Sequence, residues 1–300
     1  MIVSDLAELS ALRGAVRGLN LRTQRPAMAQ LQGGHRSAHR GRGLEFEEVR
    51  LYAPGDDTRN IDWHVTARRG HPHTKLFREE RERPVWLVAD LHPGLYFGSR
   101  RQLKSAVLLR AAAMLGWVAA LGGDRVGAVI SDSTTQPKIF PPRAREAGVL
   151  PILQALIEAQ PRTPGTKVNG SLLSTISTLR PLLQPGSLVL ILSDFADFDA
   201  AAEDILASAS LHSECRLLWI TDTLEDSGLP KGNYRVGLPD RQWWMSGDKT
   251  RSQWQKIWAT RKQRLSNLSM RLNLPLSRLD TQDDVIERMV TLLREPKWAT

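Results

Sequence analysis

The sequence predicts an α/β domain with a doubly wound, mostly parallel sheet over residues 85–295. Three observations predict this fold class. Short apolar runs such as Val85–Ala89 are typical of strands buried on both faces. Segments with helical spacing separate these runs, as expected when helices cover both faces of a parallel sheet. An aspartate also follows three of the runs, directly or within two residues: Asp90, Asp194 and Asp222.

Residues 1–84 are predicted to form an extension made of a helix, a loop and a strand. Apolar residues near the N-terminus recur at three- and four-residue steps, which predicts an amphipathic helix: Leu6, Leu9, Leu12, Val16 and Leu19. The glycine- and arginine-rich segment 33–43 predicts a loop. Polar and apolar residues alternate over 44–52, which indicates a strand, and Pro54-Gly55 is then predicted to form a turn.

From Val85 onward the chain alternates between short apolar runs and longer segments with helical spacing. The predicted elements are strand 85–89, helix 103–121, strand 125–130, helix 144–159 with a bend at Pro151, helix 171–183, strand 188–192, helix 200–211, strand 216–220, a long helix after Asp248, strand 276–279 and helix 284–293. Trp254 and Trp258 lie four residues apart on one face of the long helix, which indicates core packing.

The composition indicates a cytoplasmic protein with no membrane insertion. Cys215 is the single cysteine of the 300 residues, so an intrachain disulfide cannot form. The longest apolar stretch, Ala106–Leu121, contains Arg110 and is shorter than the roughly 20 apolar residues that a membrane helix needs. The N-terminus also lacks the charged leader and apolar block of a signal peptide.

The charge of the chain is basic and unevenly distributed. The net charge is +9, and seven arginines without an acidic residue lie between Leu9 and Leu44. Such a segment attracts phosphate or an acidic protein surface. No nucleic-acid-binding module accompanies the charge, so the sequence does not favour a nucleic-acid partner.

The stretch Arg50–Trp63 reads Arg-Leu-Tyr-Ala-Pro-Gly-Asp-Asp-Thr-Arg-Asn-Ile-Asp-Trp. It resembles the signature of a bacterial family known as domain of unknown function 58, and the resemblance extends over roughly residues 35–295. That family is similar to von Willebrand factor A domains, which have a Rossmann-type fold, and is often encoded beside MoxR-type AAA+ ATPases. The resemblance therefore implies a von Willebrand factor A-like fold, an AAA+ ATPase as partner and a chaperone-like role toward a client protein.

Von Willebrand A domains often hold Mg²⁺ at a site with the pattern Asp-x-Ser-x-Ser, a loop threonine and a later aspartate. The resemblance places Asp90, His92, Thr166 and Asp194 at this site, with His92 and Gly94 in place of the two serines. Mg²⁺ requires near-octahedral oxygen coordination, and the loss of two hydroxyls leaves fewer oxygen ligands. We therefore expect a degenerate site that binds Mg²⁺ no more tightly than about millimolar.

The signature contains charged and aromatic residues with two possible roles: Arg50, Tyr52, Gly55, Asp56, Arg59, Asp62 and Trp63. They could form a docking surface, because Arg, Tyr and Trp are common at interface hot spots. They could instead form a salt-bridged brace that holds residues 1–84 on the main domain, with Asp56 or Asp57 capping a turn. The brace is favoured over the docking surface. Carboxylates beside arginines are also charge-compensated and make poor general acids.

Two functions remain compatible with these features. The favoured one is a non-catalytic protein-interaction module that acts with an AAA+ ATPase and a client protein. The alternative is a metal-dependent hydrolase acting on a phosphorylated or nucleic-acid substrate through Asp90, Asp194 and Asp222. Two-metal hydrolysis needs carboxylates that bridge ions about 4 Å apart, and the sequence lacks a clear base and a dense carboxylate set. It also lacks a phosphate-binding loop and a nucleophile elbow.

Overall fold

The structure is a computed structural model of the chain. It describes residues 4–21, 44–53, 56, 58–79, 82–132, 136–165, 171–238 and 241–295. The predicted loop 33–43, the turn at Pro54-Gly55 and the site residue Thr166 lie outside the described residues. The roles assigned to them therefore stay predictions.

The described residues form helices and strands in close agreement with the predicted order. The strands are β1 (Leu44–Leu51), β2 (His73–Glu79), β3 (Pro84–Asp90), β4 (Arg125–Ser131), β5 (Lys138–Ala144), β6 (Leu188–Ser193), β7 (Glu214–Thr221), β8 (Asn233–Leu238), β9 (Arg241–Ser246) and β10 (Leu276–Asp280). The helices are α1 (Leu6–Ala15), α2 (Trp63–Arg69), α3 (Lys104–Leu121), α4 (Glu146–Ala159), α5 (Ser171–Leu179), α6 (Ala200–Ser210), α7 (Thr223–Ser227), α8 (Gly247–Leu272) and α9 (Val285–Arg294).

Six strands form one mixed, mostly parallel sheet in the order β10-β7-β6-β3-β4-β5. All neighbouring strands are parallel except β5, which runs antiparallel to β4 at one edge. The order changes direction around β3, because the chain adds β4 on one side of it and β6 on the other. This arrangement confirms the predicted α/β class and the mostly parallel sheet.

Apolar residues cover both faces of the sheet and form two hydrophobic cores. Along β3, Val85, Leu87 and Ala89 lie in the core shared with helices α1, α3, α4 and α9. Trp86 and Val88 lie in the opposite core, shared with α5, α6 and α8. This alternation is the period of two residues that a strand imposes. Because both faces are covered, β3 is apolar along its length, as the sequence predicted.

Helix α3 is the central helix of the first core. Among the described residues it is the one helix that is long and apolar enough to cross a membrane, judged by length and composition alone. Of that apolar window, 83% is buried inside the protein, which is also the behaviour of a core helix. Its partners are the neighbouring helices α1, α4 and α9 and the strands beneath it.

Strand β5 was not predicted. Lys138–Ala144 is an antiparallel edge strand and α4 begins at Glu146, so the predicted helix 144–159 overlaps the strand only at Ala144. Pro141 and Pro142 concealed this strand, since proline is tolerated in a sheet mainly at its edge. Helix α2, strand β2 and the β8–β9 hairpin were also missed, because their mixed polar and apolar patterns do not show a clear period.

The chain divides into two compact units, one formed by Met1–Ala27 with Arg83–Thr300 and the other by Met28–Glu82. Helix α1 belongs to the unit of the six-stranded sheet, whereas the prediction grouped it with the signature segment. Leu9 and Leu12 on α1 are buried in the first core, and the Trp117 indole donates a hydrogen bond to the Leu9 carbonyl oxygen at 3.1 Å. In the second unit, β1 and β2 form an antiparallel pair.

Candidate functional site

The carboxyl ends of β3 and β6 lie side by side in the sheet and bring three predicted site residues together. Asp90 is the last residue of β3, His92 follows two residues later, and Asp194 follows β6. One candidate ligand atom from each residue lies within 4.8 Å of the others. All three residues are buried, with exposed fractions of 0%, 1% and 4%.

Hydrogen bonds from the β6 end hold these carboxylates. The Ser193 hydroxyl donates to Asp90 Oδ2 at 2.6 Å, and the Phe195 amide donates to Ser193 Oγ at 2.9 Å. The Ala196 amide donates to Asp194 Oδ1 at 3.0 Å. Phe195 adopts a φ of +52°, in the left-handed region, so the chain turns sharply after β6. The turn aims these backbone amides back at the side chains of the strand end.

His92 lies against the Asp194 carboxylate. Its Nε2 lies 3.3 Å from Asp194 Oδ1. Its Nδ1 is buried and has no hydrogen-bond partner among the described residues.

A buried lysine, which was not among the predicted site residues although it belongs to the family resemblance, completes the site. Lys104 is the first residue of α3, and its Nζ lies 2.9 Å from Asp194 Oδ2 and 2.8 Å from Glu225 Oε1. Burial by itself lowers the pKa of the Lys104 ammonium. The Asp194 and Glu225 carboxylates outweigh this effect and raise its pKa above the ordinary value of 10.5. Lys104 is therefore a buried cation paired with two carboxylates. We call Asp90, His92, Lys104, Asp194 and Glu225 the charge cluster.

The third aspartate at a strand end, Asp222, follows β7 and has a structural role. It caps α7, with the Leu224 amide donating to its Oδ1 at 2.8 Å. Its Oδ2 accepts a hydrogen bond from the Ser99 amide at 2.7 Å and another from the Thr281 hydroxyl. In the same capping box, the Asp222 amide donates to Glu225 Oε2 at 3.0 Å. Asp222 thus joins three segments and positions Glu225 for Lys104.

Asp222 is expected to make the stability of the protein dependent on pH. Burial by itself raises the pKa of this carboxyl, but hydrogen bonds from Thr281 and Ser99 outweigh burial and hold the pKa below the ordinary 3.8. A carboxyl whose pKa is depressed by folding stabilises the protein at higher pH and loses that contribution as pH falls through the folded pKa. Asp222→Asn should therefore lower the free energy of unfolding by about 1–3 kcal/mol at neutral pH. Urea denaturation at successive pH values checks this, and a difference that does not shrink as the pH falls below 3.8 would contradict it.

The charge cluster does not fit a hard divalent cation such as Mg²⁺. Mg²⁺ requires six oxygen ligands in near-ideal octahedral geometry. Here Asp194 Oδ2 accepts from an ammonium group, Asp90 Oδ2 accepts from Ser193, and the residue two after Asp90 offers a ring nitrogen. Thr166, the fourth predicted ligand, lies outside the described residues.

Lys104 and Glu225 are residues of the candidate site that were not predicted as site residues. One signal for Lys104 was present, since it is a single lysine at the start of an apolar helix. Of the 18 residues of α3, 15 are buried, so a charged residue at this position requires a buried partner. Glu225 had no comparable signal, because acidic residues are common in the first turn of a helix.

In the second unit, the signature residues make local structural contacts. Arg50 Nη2 pairs with Asp56 Oδ1 at 2.7 Å, and the Ala53 amide donates to Asp56 Oδ2 at 2.9 Å. Asp56 thus caps a turn, as one of the predicted alternatives had it. The Tyr52 amide donates to the Pro72 carbonyl oxygen at 2.9 Å. Gly55 lies outside the described residues.

Asp62 caps helix α2, and this contact gives a test of the signature. The amides of His64 and Val65 donate to Asp62 Oδ1 at 3.0 and 3.1 Å. Loss of such a cap costs about 0.5–2 kcal/mol, so Asp62→Ala should speed amide hydrogen exchange across α2 while Asp62→Asn changes it little. Equal exchange in all three proteins would show that the cap is unimportant.

The brace interpretation of Arg59 stays a prediction. Arg59 is exposed in the structure. If it pairs with Asp62 in a brace, Arg59→Ala should lower the melting temperature only slightly, because exposed ion pairs contribute about 0–1 kcal/mol. If the segment is a docking surface, the same substitution should leave the melting temperature within a degree or two and abolish partner capture. Trp63 is 69% exposed, which keeps the docking alternative open.

Comparisons with known proteins give a family and relatives of undetermined function. A family model described as "Protein of unknown function DUF58" matches residues 48–264. Uncharacterized proteins Mb1516 of Mycobacterium bovis and MT1527 and Rv1480 of Mycobacterium tuberculosis are each 35% identical to this chain over 184 residues. The match covers 61% of this chain and 57% of each relative, so the chain spans little more than half of their length.

Two solved structures show a distant likeness over 70% of this chain. One is the conserved hypothetical protein BatB from Bacteroides thetaiotaomicron, with 10% identity, a TM-score of 0.39 and 98% of that chain covered. The other is an aerotolerance-related membrane protein from Bacteroides fragilis NCTC 9343, carrying multiple mutations to serine, with 11% identity, a TM-score of 0.40 and 96% of that chain covered. At these scores the likeness carries no argument about function.

Proposed function

The chain belongs to the DUF58 family of proteins of unknown function, and from this premise we propose that it is a non-catalytic protein-interaction module of von Willebrand A type. It acts with a MoxR-type AAA+ ATPase in the chaperone-like maturation or assembly of client proteins. The ATPase partner and the client protein are inferred from the family resemblance of the signature segment. The proposal places the protein in the cytoplasm, where it would meet such an ATPase.

The observation that supports the non-catalytic part is the internal pairing of the charge cluster. Asp194 bonds to Lys104 and lies against His92, while Asp90 accepts a hydrogen bond from Ser193. These four cluster residues, Asp90, His92, Lys104 and Asp194, are each less than 5% exposed. A general base must reach its substrate within hydrogen-bond distance, and a hydrolytic carboxylate must reach a metal-bound phosphate. Buried and paired carboxylates of this kind are poorly suited to the alternative of a metal-dependent hydrolase.

The β8–β9 hairpin supports the interaction part. Its two neighbouring tryptophans, Trp243 and Trp244, are 51% and 74% exposed. Arg235 lies opposite Trp244 in the pair of strands, and Arg241 lies near the turn. Exposed Trp and Arg side chains are the residues most enriched at binding hot spots. The basic charge of the hairpin favours an acidic surface on the partner ATPase.

A capture experiment tests the proposal. The tagged protein and the MoxR-type ATPase of the same genome are purified and mixed with and without ATP. We expect the wild-type protein to retain the ATPase, and the double variant Trp243→Ala, Trp244→Ala to lose it. Leu211→Ala is the control, because it removes an apolar side chain that is 70% exposed and lies outside both the hairpin and the signature segment. Absence of wild-type capture in both nucleotide states contradicts the ATPase partnership.

Activity assays test the hydrolase alternative. Purified protein should show no ATPase, phosphatase or nuclease activity above background. An activity that disappears in Asp194→Asn, with the circular dichroism spectrum retained, would replace the binding-module proposal. A contaminating enzyme would survive that substitution, so the variant separates the two explanations.

A further inference from the structure

We propose that the Lys104 ammonium takes the place of a divalent cation at the carboxyl edge of the sheet, so that the protein is complete without a metal ion. This inference does not depend on the interaction function. It concerns the von Willebrand A metal site implied by the family resemblance, whose residues in this chain do not fit Mg²⁺. The residue responsible comes from α3, a different element from the strand ends that supply the predicted ligands.

The contacts of Lys104 are those of a central cation. Its Nζ lies 2.9 Å from Asp194 Oδ2 and 2.8 Å from Glu225 Oε1, so carboxylates from two separate segments converge on it. The Lys104 backbone is fixed as well, since its amide donates to the Phe97 carbonyl oxygen at 2.7 Å. With only 2% of the residue exposed, the ammonium cannot leave the cluster without unfolding its surroundings.

The contacts of the cluster oppose a second cation. The three carboxylates outnumber the one ammonium, but Asp194 Oδ2 and Glu225 Oε1 already accept hydrogen bonds from Lys104, and Asp90 Oδ2 accepts one from Ser193. A divalent ion placed among the same carboxylates would lie within a few ångströms of the ammonium, and like charges at that separation repel strongly in a buried site. The wild-type protein should therefore bind Mg²⁺ no more tightly than about millimolar.

Removal of the ammonium should create a metal site. In Lys104→Ala, Asp194 Oδ2 and Glu225 Oε1 lose their shared partner, and the space of the lysine chain becomes available to an ion and water. His92 lies against Asp194 and offers a nitrogen ligand. Two carboxylates with an imidazole suit Mn²⁺ or Zn²⁺ better than Mg²⁺. Lys104→Met removes the same charge but fills the space with an apolar chain.

Thermal melts of wild-type protein, Lys104→Ala and Lys104→Met test this, each in EDTA and in excess MnCl₂. The wild-type melting temperature should not change between the two conditions. Lys104→Ala should melt low in EDTA and gain about 5–10 °C when Mn²⁺ reaches about 100 times its dissociation constant. Lys104→Met should melt low in both conditions. A Lys104→Ala protein that folds and yet gains nothing from Mn²⁺ or Zn²⁺ overturns the inference.

Metal titration of the wild-type protein provides a second test of the inference, which applies even if Lys104→Ala does not fold. Calorimetry with MgCl₂ and MnCl₂ should give no binding at micromolar concentrations. Micromolar binding that is lost in Asp194→Asn would show that a cation coexists with Lys104, and would overturn the inference. Lys104→Arg is the conservative control, because it retains a positive charge and should remain insensitive to metal ions.

Discussion

Replacement of Lys104 by methionine is expected to lower the free energy of unfolding by about 3–5 kcal/mol. The substitution keeps most of the side-chain volume but removes the charge that Asp194 and Glu225 share at 2.9 and 2.8 Å. Two carboxylates are then left in a buried site without a counter-charge, which is the costly outcome of breaking a buried ion pair. Denaturant unfolding at neutral pH in EDTA measures the loss without interference from metal ions.

Lys138 provides a matched control for this prediction. It pairs with Glu158 at 3.4 Å, but both side chains are about half exposed, at 51% and 52%. Exposed ion pairs contribute about 0–1 kcal/mol, so Lys138→Met should change stability little. Equal effects at the two lysines would show that burial of the Lys104 pair is unimportant.

Trp219→Ala is expected to destabilise the protein by about 3–5 kcal/mol. Trp219 lies on β7, is 3% exposed and stacks on Trp258 of α8 with ring centroids 5.0 Å apart. Its indole nitrogen also donates to the Asp194 carbonyl oxygen at 3.1 Å. The substitution therefore leaves a cavity between the sheet and α8 and removes a hydrogen bond beside the charge cluster.

Trp244 of the β8–β9 hairpin provides the exposed control for the prediction at Trp219. Trp244→Ala makes the same chemical change at a residue that is 74% exposed. Substitutions at such positions usually change stability by less than about 0.5 kcal/mol. Denaturant unfolding of both variants provides the comparison. A loss below about 1 kcal/mol in Trp219→Ala would show that the second core relaxes to close the cavity.

The tryptophans of α8 illustrate the limit of periodicity. Their four-residue spacing predicted that Trp254 and Trp258 both pack in the core. Trp258 is buried against Trp219 at 5% exposure, which confirms the prediction for that residue. Trp254 is half-buried, and its indole donates to the Glu225 carbonyl oxygen at 2.9 Å. Spacing identifies the shared face of a helix, but the neighbouring element decides how deeply each residue is buried.

The sequence by itself determined the α/β class, the order of the main elements and the meeting of Asp90 with Asp194 at one edge of the sheet. These features follow from local patterns, because apolar runs define buried strands and parallel strands end at one edge of the sheet. The place of His92 beside the two aspartates came from the family resemblance. Strand β5 and the β8–β9 hairpin depended on pairing with other segments, which a local pattern does not encode.

The pairing of Lys104 with Asp194 and Glu225 depended on the tertiary structure alone. Lys104 and Glu225 are 121 positions apart in sequence, and Lys104 is 90 from Asp194, yet all three meet at one buried point. The packing of α3 against the sheet places Lys104 there, and the Asp222 capping box on α7 places Glu225. The sequence could suggest a cation site from its aspartates. The sequence did not indicate that Lys104 of α3 is that cation, because its contact with Asp194 and Glu225 results from the packing of distant elements.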